Sequence, residues 1–571
     1  MGAQASYDQT PYPSLSYSQS HPDRLATVAT LLGMNPAAVE RCRVLELGCA
    51  GGGNLIPMAY GLPESQFVGV DISARQIAEG QATVATLGLK NITLMHLDIA
   101  EVDADLGQFD YIVAHGIYSW VPPAVQDKVL TICQQNLAAN GVAYVSYNTY
   151  PGWHMINIVR DLMLYHTRKV ADPEKRATQA RAVLDLIAGA GLPDDSAYCS
   201  FVKMYAQFLG GKLEDARPRQ DALLLHDEME EVNEPVYFHQ FAERAAHHGL
   251  QYLGDAEFHS MAGSRGSMPP EAVQVVGKIA RSFVEAEQYM DFAKNRTFRQ
   301  TLLCHEGVRL SRTLKPDRVA GLCVASRAQP AGPDAAESPG EAERDVRSVS
   351  VVQFRGSDGT TLSIDHPASK AALLYLAEMW PKVVPFDALL AAARARVTTQ
   401  SLEAKGWETE PPTAGADARL DSQVLGANLL MAYSYSDKLA ELHAYAPSVA
   451  SEAGDRPMAS RVARFQASHD NDRVTNLRHE RVSLDEADRY LLRYLDGDHD
   501  RGELVDLLLA GPVAKGILVV REDGKLVKDS GRVRHLLAEG LDKKLGWLAS
   551  ASLLLGRHDP GIHPGSPMAA A

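Results

Sequence analysis

Long apolar runs are missing from this chain: nowhere do roughly 18 consecutive apolar residues occur, the minimum for a helix that crosses a bilayer. The first 20 residues are polar and tyrosine-rich, without the basic start and apolar stretch of an export signal, so a cytoplasmic protein with no membrane partner is expected. Cysteine is scarce as well. The six, Cys42, Cys49, Cys133, Cys199, Cys304 and Cys323, are scattered without any CxxC spacing and sit mostly in apolar runs, which points to reduced buried thiols rather than disulfides or zinc ligands. Basic residues are outnumbered, 56 Lys and Arg against 71 Asp and Glu, for a formal net charge of -15. That balance argues against nucleic acid as the main partner, because phosphate affinity is carried by clustered Lys and Arg. An acidic surface suits a basic substrate better.

What remains is ample material for several cores. At 571 residues, 46% hydrophobic and 22% charged, the chain has the composition of an ordinary globular protein. Its length predicts three or four units at roughly 100 to 200 residues each. From 43 to 148, short apolar runs alternate with helix-like stretches, the pattern of a parallel sheet covered on both faces. Strands are expected at 44–47, 67–70, 92–97, 111–114 and 142–146, and helices near 54–60, 73–87 and 124–136, with Gly88 and Gly141 stopping the last two. The fold class is therefore α/β, a doubly wound, Rossmann-like sheet.

Past 155 the period is helical, with Val183, Leu184 and Ile187 on one face, until 250–253 reads as a returning strand. A Pro-, Ala-, Gly- and Glu-rich stretch after Ala328 reads as a linker, and beyond it 370–390 and 489–509 repeat a helix, a turn and a second helix, each like a winged-helix piece. The expected division is 1–154 (lid and ligand-binding core), 155–246 (helical insertion), 247–327 (rest of the sheet), 328–346 (linker), 347–555 (winged-helix-like α+β repeats) and 556–571 (disordered tail). A DNA reader would need basic side chains along the second helix of each pair. Asp387, Glu503 and Asp506 stand there, so protein contact is expected.

The chemistry concentrates in Val44-Leu45-Glu46-Leu47-Gly48-Cys49-Ala50-Gly51-Gly52-Gly53-Asn54, followed by Asp71 and Asp98 at the ends of two further apolar runs. A strand ending in glycines lets the backbone approach a ligand where the next helix begins. Gly48-x-Ala50-x-x-Gly53 alone could be a degraded dinucleotide fingerprint. Glu46 decides against it, since an acid there repels a diphosphate and suits a cationic amino acid. Asp71 and Asp98 could each be helix caps, a reading weakened by three acids at the ends of three successive strands.

On these residues the chain resembles class I S-adenosylmethionine-dependent methyltransferases, whose first motif is an acid, an apolar residue and Gly-x-Gly-x-Gly. Ala50 departs from it at the second glycine, and Gly51 is expected to supply the positive φ that alanine resists. The resemblance implies that Glu46, Gly48, Ala50, Gly52, Asp71, Ile72, Asp98, Ile99 and His115 hold S-adenosylmethionine, with Asp71 on the ribose hydroxyls and Asp98 on the adenine amino group. It also places Ala114-His115-Gly116-Ile117-Tyr118-Ser119-Trp120 beside the transferring methyl, where Tyr118 and Trp120 would offer aromatic walls, unless Trp120 is simply core.

Three further segments, Tyr12 with Pro13 and His21 to Arg24, Ser146 to His154, and Asn295 to Leu302, are similar to those of a bacterial family that adds a methyltransferase regulatory domain, with rickettsial protein-lysine methyltransferases of an outer-membrane surface protein as members. That likeness implies a protein substrate with exposed lysines and a possible homodimer. Tyr12, Tyr118 and Tyr147 would orient the amine, His115 or water would take its proton, and Trp120, Asn148 and Trp153 would bind substrate. A small-molecule methyltransferase, or a binding protein that senses the cofactor without catalysis, are the alternatives. His226, His239, His247 and His248 lie near Glu228, Glu230 and Glu231 but form no HExxH and have no cysteine partner, so no metal is expected.

Overall fold

The structure, a computed structural model, describes residues 12–191, 196–211, 221–261, 269–331, 350–405, 416–469 and 472–556. Most of the expected linker and all of the expected tail beyond Gly556 lie outside the described residues. Among the described residues no helix is long and apolar enough to cross a membrane.

Seven strands form the central sheet: β1 (Arg43–Leu47), β2 (Gln66–Asp71), β3 (Ile92–His96), β4 (Phe109–Ala114), β5 (Leu137–Asn148), β6 (Leu250–Asp255) and β7 (Phe298–His305). Their order is β3-β2-β1-β4-β5-β7-β6. The first five run parallel, and β7 enters antiparallel between β5 and β6. The expected doubly wound sheet with a helical insertion is present, extended by an antiparallel pair.

Helices α1 (Pro22–Leu31), α2 (Leu55–Gly61), α3 (Ala74–Leu87) and α4 (Pro123–Asn136) cover it. α3 starts where Ser73 Oγ accepts from Gln76 N–H and stops at Gly88, whose φ of 68° continues no helix. Gly141 is not the stop of α4. That helix ends at Asn136, and Leu137 already pairs with Phe109 before a bulge, so Gly141 lies inside β5.

Alternation along the strands sorts the two faces. Val44, Tyr111, Val113, Val142 and Tyr144 pack with Leu25, Val28 and Ala29 of α1. Leu45, Leu47, Ile112, Ala143, Val145 and Tyr147 pack with Val129 and Cys133 of α4 and with Phe241 and Ala245 of α8 (Phe238–His247). The insertion, α5 (Gly152–Thr167), α6 (Pro173–Ala188) and α7 (Ala197–Gly211), has its own core around Met163, Leu184, Val202 and Leu225.

The first core continues beyond the sheet into Leu373, Leu376, Leu429 and Tyr433, so the unit after the expected linker shares it. That linker also begins as structure: Gln329–Ala331 pairs with Val352–Arg355. The two expected helix pairs are Pro367–Met379 with Phe386–Lys405 and Glu486–Arg493 with Arg501–Leu508. Each follows a hairpin, Val352–Arg355 with Thr361–Ile364 and Arg473–Thr475 with Arg481–Ser483.

α9 (Pro270–Ile279) and α10 (Phe283–Lys294) return the chain to β7. There Arg299 is fully buried, giving hydrogen bonds of 2.8 Å to both Asp291 oxygens and to Glu287 Oε2, and one of 3.4 Å to Asp255. Arg296 adds ion pairs to Asp255 at 3.4 Å and Asp291 at 3.6 Å. The arginines of the 295–302 segment thus serve to hold the antiparallel pair, not the ligand site. Replacing Arg299 by Met leaves buried carboxylates uncompensated, and urea unfolding is expected to show a loss of about 3–5 kcal/mol.

Candidate active site

The carboxyl ends of β1, β2, β3 and β4 bring Glu46, Asp71, Asp98 and His115 to one edge of the sheet. Between β1 and α2 the chain makes a tight turn whose geometry the glycines dictate. Gly48 has φ +71°, and a Cβ there would stand 2.1 Å from Ile117 Cδ1. At Gly53 a Cβ would meet the backbone of Ser14 at 2.4 Å. Ala50, not Gly51, takes the left-handed conformation, with φ 49°. The cost to alanine is about 1 kcal/mol, and what holds it there is its N–H, which donates to Asp71 Oδ2 at 2.8 Å.

Glu46 is the most constrained of the acids. It is 4% exposed. Oε1 accepts from Asn54 Nδ2 at 2.7 Å, while Oε2 is buried without a partner. Burial, with the Asp71 charge adding to it, pushes this carboxyl up to about 8 against the pull of the Asn54 hydrogen bond. A buried carboxylate oxygen with nothing donating to it is what a cationic ligand would satisfy. Asp71 Oδ1 accepts from Ser73 N–H at 2.8 Å and its Oδ2 from Ala50 N–H at 2.8 Å, which fixes the carboxylate beside the glycine turn. Asp98 is half-buried and also caps the short turn Ile99–Glu101. Ile72 and Ile99 are half-buried beside the two acids.

The strap 12–20 crosses this edge. Ser14 Oγ accepts from Gly53 N–H at 2.7 Å, Tyr17 N–H donates to Asn54 Oδ1 at 2.9 Å, and Gln76 Nε2 donates to the Tyr12 carbonyl at 3.0 Å. Tyr12 OH donates to Asp227 Oδ1 at 3.1 Å, so the strap also reaches the insertion. Tyr17 covers His115, ring centroids 3.7 Å apart. His115 Nδ1 meets Tyr144 OH at 2.8 Å. Burial, with Arg481 facing the group, lowers this imidazole to about 3. It is therefore neutral at pH 7 and a poor store for a proton.

Two expected site residues are elsewhere. Tyr118 is fully buried, edge-on to Phe241 at 5.1 Å, with its hydroxyl 3.5 Å from Arg244 Nη1. Tyr147 stacks on Phe241 at 4.2 Å and its hydroxyl is hydrogen-bonded to that of Thr301 at 2.9 Å. Both belong to the core on the far face, because Tyr144 and Ser146, one residue out of step with Tyr147, take the His115 side of β5. Trp120 and Trp153 meet edge to face at 6.1 Å, and Asn148 Nδ2 donates to Asn233 Oδ1 at 3.0 Å, so these three join the turn after β4 and the end of β5 to the insertion.

Ser14, Tyr17, Asn54, Tyr144 and Asp227 were not anticipated. Strand alternation could have separated Tyr144 from Tyr147, and the place of Asn54 after the glycines marked it. Among the described residues no group of acids, histidines and cysteines could hold a metal ion. His226 bonds Glu230, His239 bonds Gln288 and His248 bonds Asp127. A surface depression lined by Met34, Asn35, Gln108, Asn140 and His305 lies at the opposite edge of the sheet and carries none of the motif residues.

The family described as "Methyltransferase domain" matches residues 44–141, "Predicted methyltransferase regulatory domain" matches 220–305, and "PKMT, C-terminal winged helix domain" matches 455–553. An uncharacterised protein of Rickettsia prowazekii is 33% identical over 551 residues, 96% of this chain and 93% of that protein. A second one from that organism is 38% identical over 240 residues, 42% of this chain and 93% of its own. Among solved structures, PKMT2 from Rickettsia typhi is similar with TM-score 0.79 and 28% identity, covering 95% of this chain and 100% of that one. Its complex with AdoHcy is similar with TM-score 0.77 over 96% and 100% of the two chains, at 28% identity.

Because Tyr118 and Tyr147 are core groups, Tyr118→Phe and Tyr147→Phe are each expected to cost about 1 kcal/mol of stability in urea unfolding. Affinity for AdoHcy, read by calorimetry on the same variants, is expected to stay at the level of the unaltered chain.

Proposed function

The chain belongs to the S-adenosylmethionine-dependent methyltransferases of the PKMT type, and from that premise we propose that it methylates lysine nitrogen in a protein substrate. S-adenosylmethionine, when bound, supplies a methyl group on a cationic sulfonium. Glu46 would hold its amino-acid cation and Asp71 its ribose hydroxyls, with Ile72, Asp98 and Ile99 at the base. The unpartnered Oε2 of Glu46, buried at the glycine turn, is the observation that carries this placement.

For the acceptor, the supporting feature is Tyr12 with Asp227 at the end of the strap. A lysine must shed a proton before it can attack, because its unperturbed pKa is about 10.4. Asp227 would receive the ammonium end and the neutral rings of Tyr17 and His115 would disfavour its charge. With His115 at about 3, the proton is assigned to water rather than to that ring. On the helix Arg501–Leu508, Glu503 is exposed and Asp506 pairs with Arg534, which favours a protein rather than DNA as partner for the winged helix. A homodimer is part of the same proposal: the insertion leaves Tyr165 68%, Leu186 69% and Met204 58% exposed, apolar area a second copy would cover.

Incubation with methyl-labelled cofactor, cell lysate and a metabolite fraction is expected to leave label in acid-precipitable protein, recovered as methyl-lysine after hydrolysis. Label confined to small molecules would refute the protein substrate. Tyr12→Phe is expected to lower that turnover about tenfold or more while AdoHcy still binds. Sedimentation equilibrium is expected to give the dimer mass; a monomer throughout the micromolar range would remove the homodimer.

A further inference from the structure

The C-terminal winged-helix region reaches the glycine turn through the side chain of His479. Its hairpin Arg473–Thr475 and Arg481–Ser483 turns at 476–480, and the turn is fixed from within. Asn476 Oδ1 accepts from Arg478 N–H at 2.9 Å and from Glu480 N–H at 2.8 Å, and its Nδ2 donates to the Ala551 carbonyl at 2.9 Å. His479 follows with φ 62°, a conformation that costs a non-glycine residue free energy, and its ring is directed into the protein at 4% exposure.

There His479 Nε2 lies 2.8 Å from Asn54 Oδ1. Asn54, itself 4% exposed, uses its full hydrogen-bonding capacity. Nδ2 donates to Glu46 Oε1 at 2.7 Å and to Ser20 Oγ at 2.9 Å, and Oδ1 accepts from Tyr17 N–H at 2.9 Å and from His479. The carboxylate on one side and the backbone N–H on the other fix which way the amide faces. Oδ1 can only accept, so His479 carries its proton on Nε2, and Nδ1 is a buried lone pair without a partner. The same hairpin grips the strap. Thr475 Oγ1 donates to Ser16 Oγ at 3.1 Å, and the Arg481 guanidinium lies 5.8 Å from the centre of the Tyr17 ring.

We propose that His479 is a positioning residue for the cofactor carboxylate: it locks Asn54, Asn54 aims Glu46, and seating of the winged-helix hairpin thereby sets affinity for S-adenosylmethionine. The proposal rests on the cofactor assignment and is independent of the lysine substrate. Ligand binding needs Glu46 ionised, so affinity rises as pH climbs through the pKa of that carboxyl and then levels off. The groups facing Glu46 are Asp71 from β2, Cys49 from the glycine turn, Tyr17 from the strap and Asn54; His479 is faced by His21, ring centroids 5.1 Å apart. The hydrogen bond from Asn54 holds the Glu46 carboxyl down against burial. An Asn54 released by loss of His479 would let that carboxyl rise, and the midpoint of binding would move to higher pH.

The test is titration calorimetry of AdoHcy against the full chain from about pH 6 to about pH 9. His479→Gln keeps a donor at similar reach, and His479→Met is its near-isostere without one. The Met variant is expected to bind about tenfold more weakly, with its pH midpoint displaced upward, and the Gln variant within about threefold of the unaltered chain with the midpoint in place. Equal affinity of the Met variant and the unaltered chain would overturn the proposal. So would equal losses in both variants with no movement of the midpoint, the signature of a merely structural contact. His479→Asn, which suits the positive φ and is too short to reach Asn54, gives the same reading if the Met variant fails to fold.

Discussion

One buried carboxylate organises the active end of this molecule. Placing Glu46 inside the protein costs solvation, and the raised affinity of that group for a proton measures how little the fold returns to it. Among the described residues only Asn54 donates to it, through one oxygen; the other is buried without a partner. A ligand bearing an ammonium therefore relieves a penalty already built into the fold. That is a stronger source of selectivity than an exposed acid could supply, since the same charge pair in water would be worth little.

The long-range architecture follows from keeping this group dry and aimed. The strap 12–20 covers the glycine turn through Ser14 and Tyr17, and the strap is in turn tied to parts remote in sequence: Tyr12 to Asp227 of the insertion, Ser16 to Thr475 of the winged helix. α1 is clamped likewise, with Asp23 accepting from the backbone of Ala444 and Tyr445 and Arg24 reaching Tyr433. Because one apolar core runs from the sheet into the 350–442 unit, the α1 contacts sit on a shared body. The edge at the glycine turn is thus held by segments from along the described chain, although Glu46, Asp71, Asp98 and His115 all come from its first quarter.

Local chemistry made part of this legible. Parallel strands buried on both faces read as apolar runs, and Gly48, with no room for a side chain against Ile117, could hardly be another residue. Legibility failed where a one-residue step decides the face. Tyr144 and Tyr147 differ only in parity along β5, and the motif around them gave no reason to prefer the first. It failed again where chirality met a hydrogen bond: alanine resists positive φ, yet the Asp71 carboxylate pins Ala50 N–H and spares Gly51 that duty. Ser14 and His479 were out of reach in principle, since 39 and 425 residues separate them from their partners in the turn. Nothing local in either stretch announces the contact.

The proposed reaction would bring two cations into one cleft. A sulfonium nucleoside and a lysine repel, and a site lined with further cations would make both bind poorly. Here Asp71, Asp98 and Asp227 place acidic side chains around the edge and Glu46 would ionise with the ligand, while His115 is held neutral by burial and by Arg481. Were that ring protonated it would add a positive charge beside the position of the methyl donor. On the proposed placement of the cofactor, its depressed pKa would serve binding, and a histidine kept neutral in this way would be unsuited to accept a proton from a substrate amine. Recognition of a cation and general-base chemistry make opposite demands on this position, and the burial of His115 favours the first.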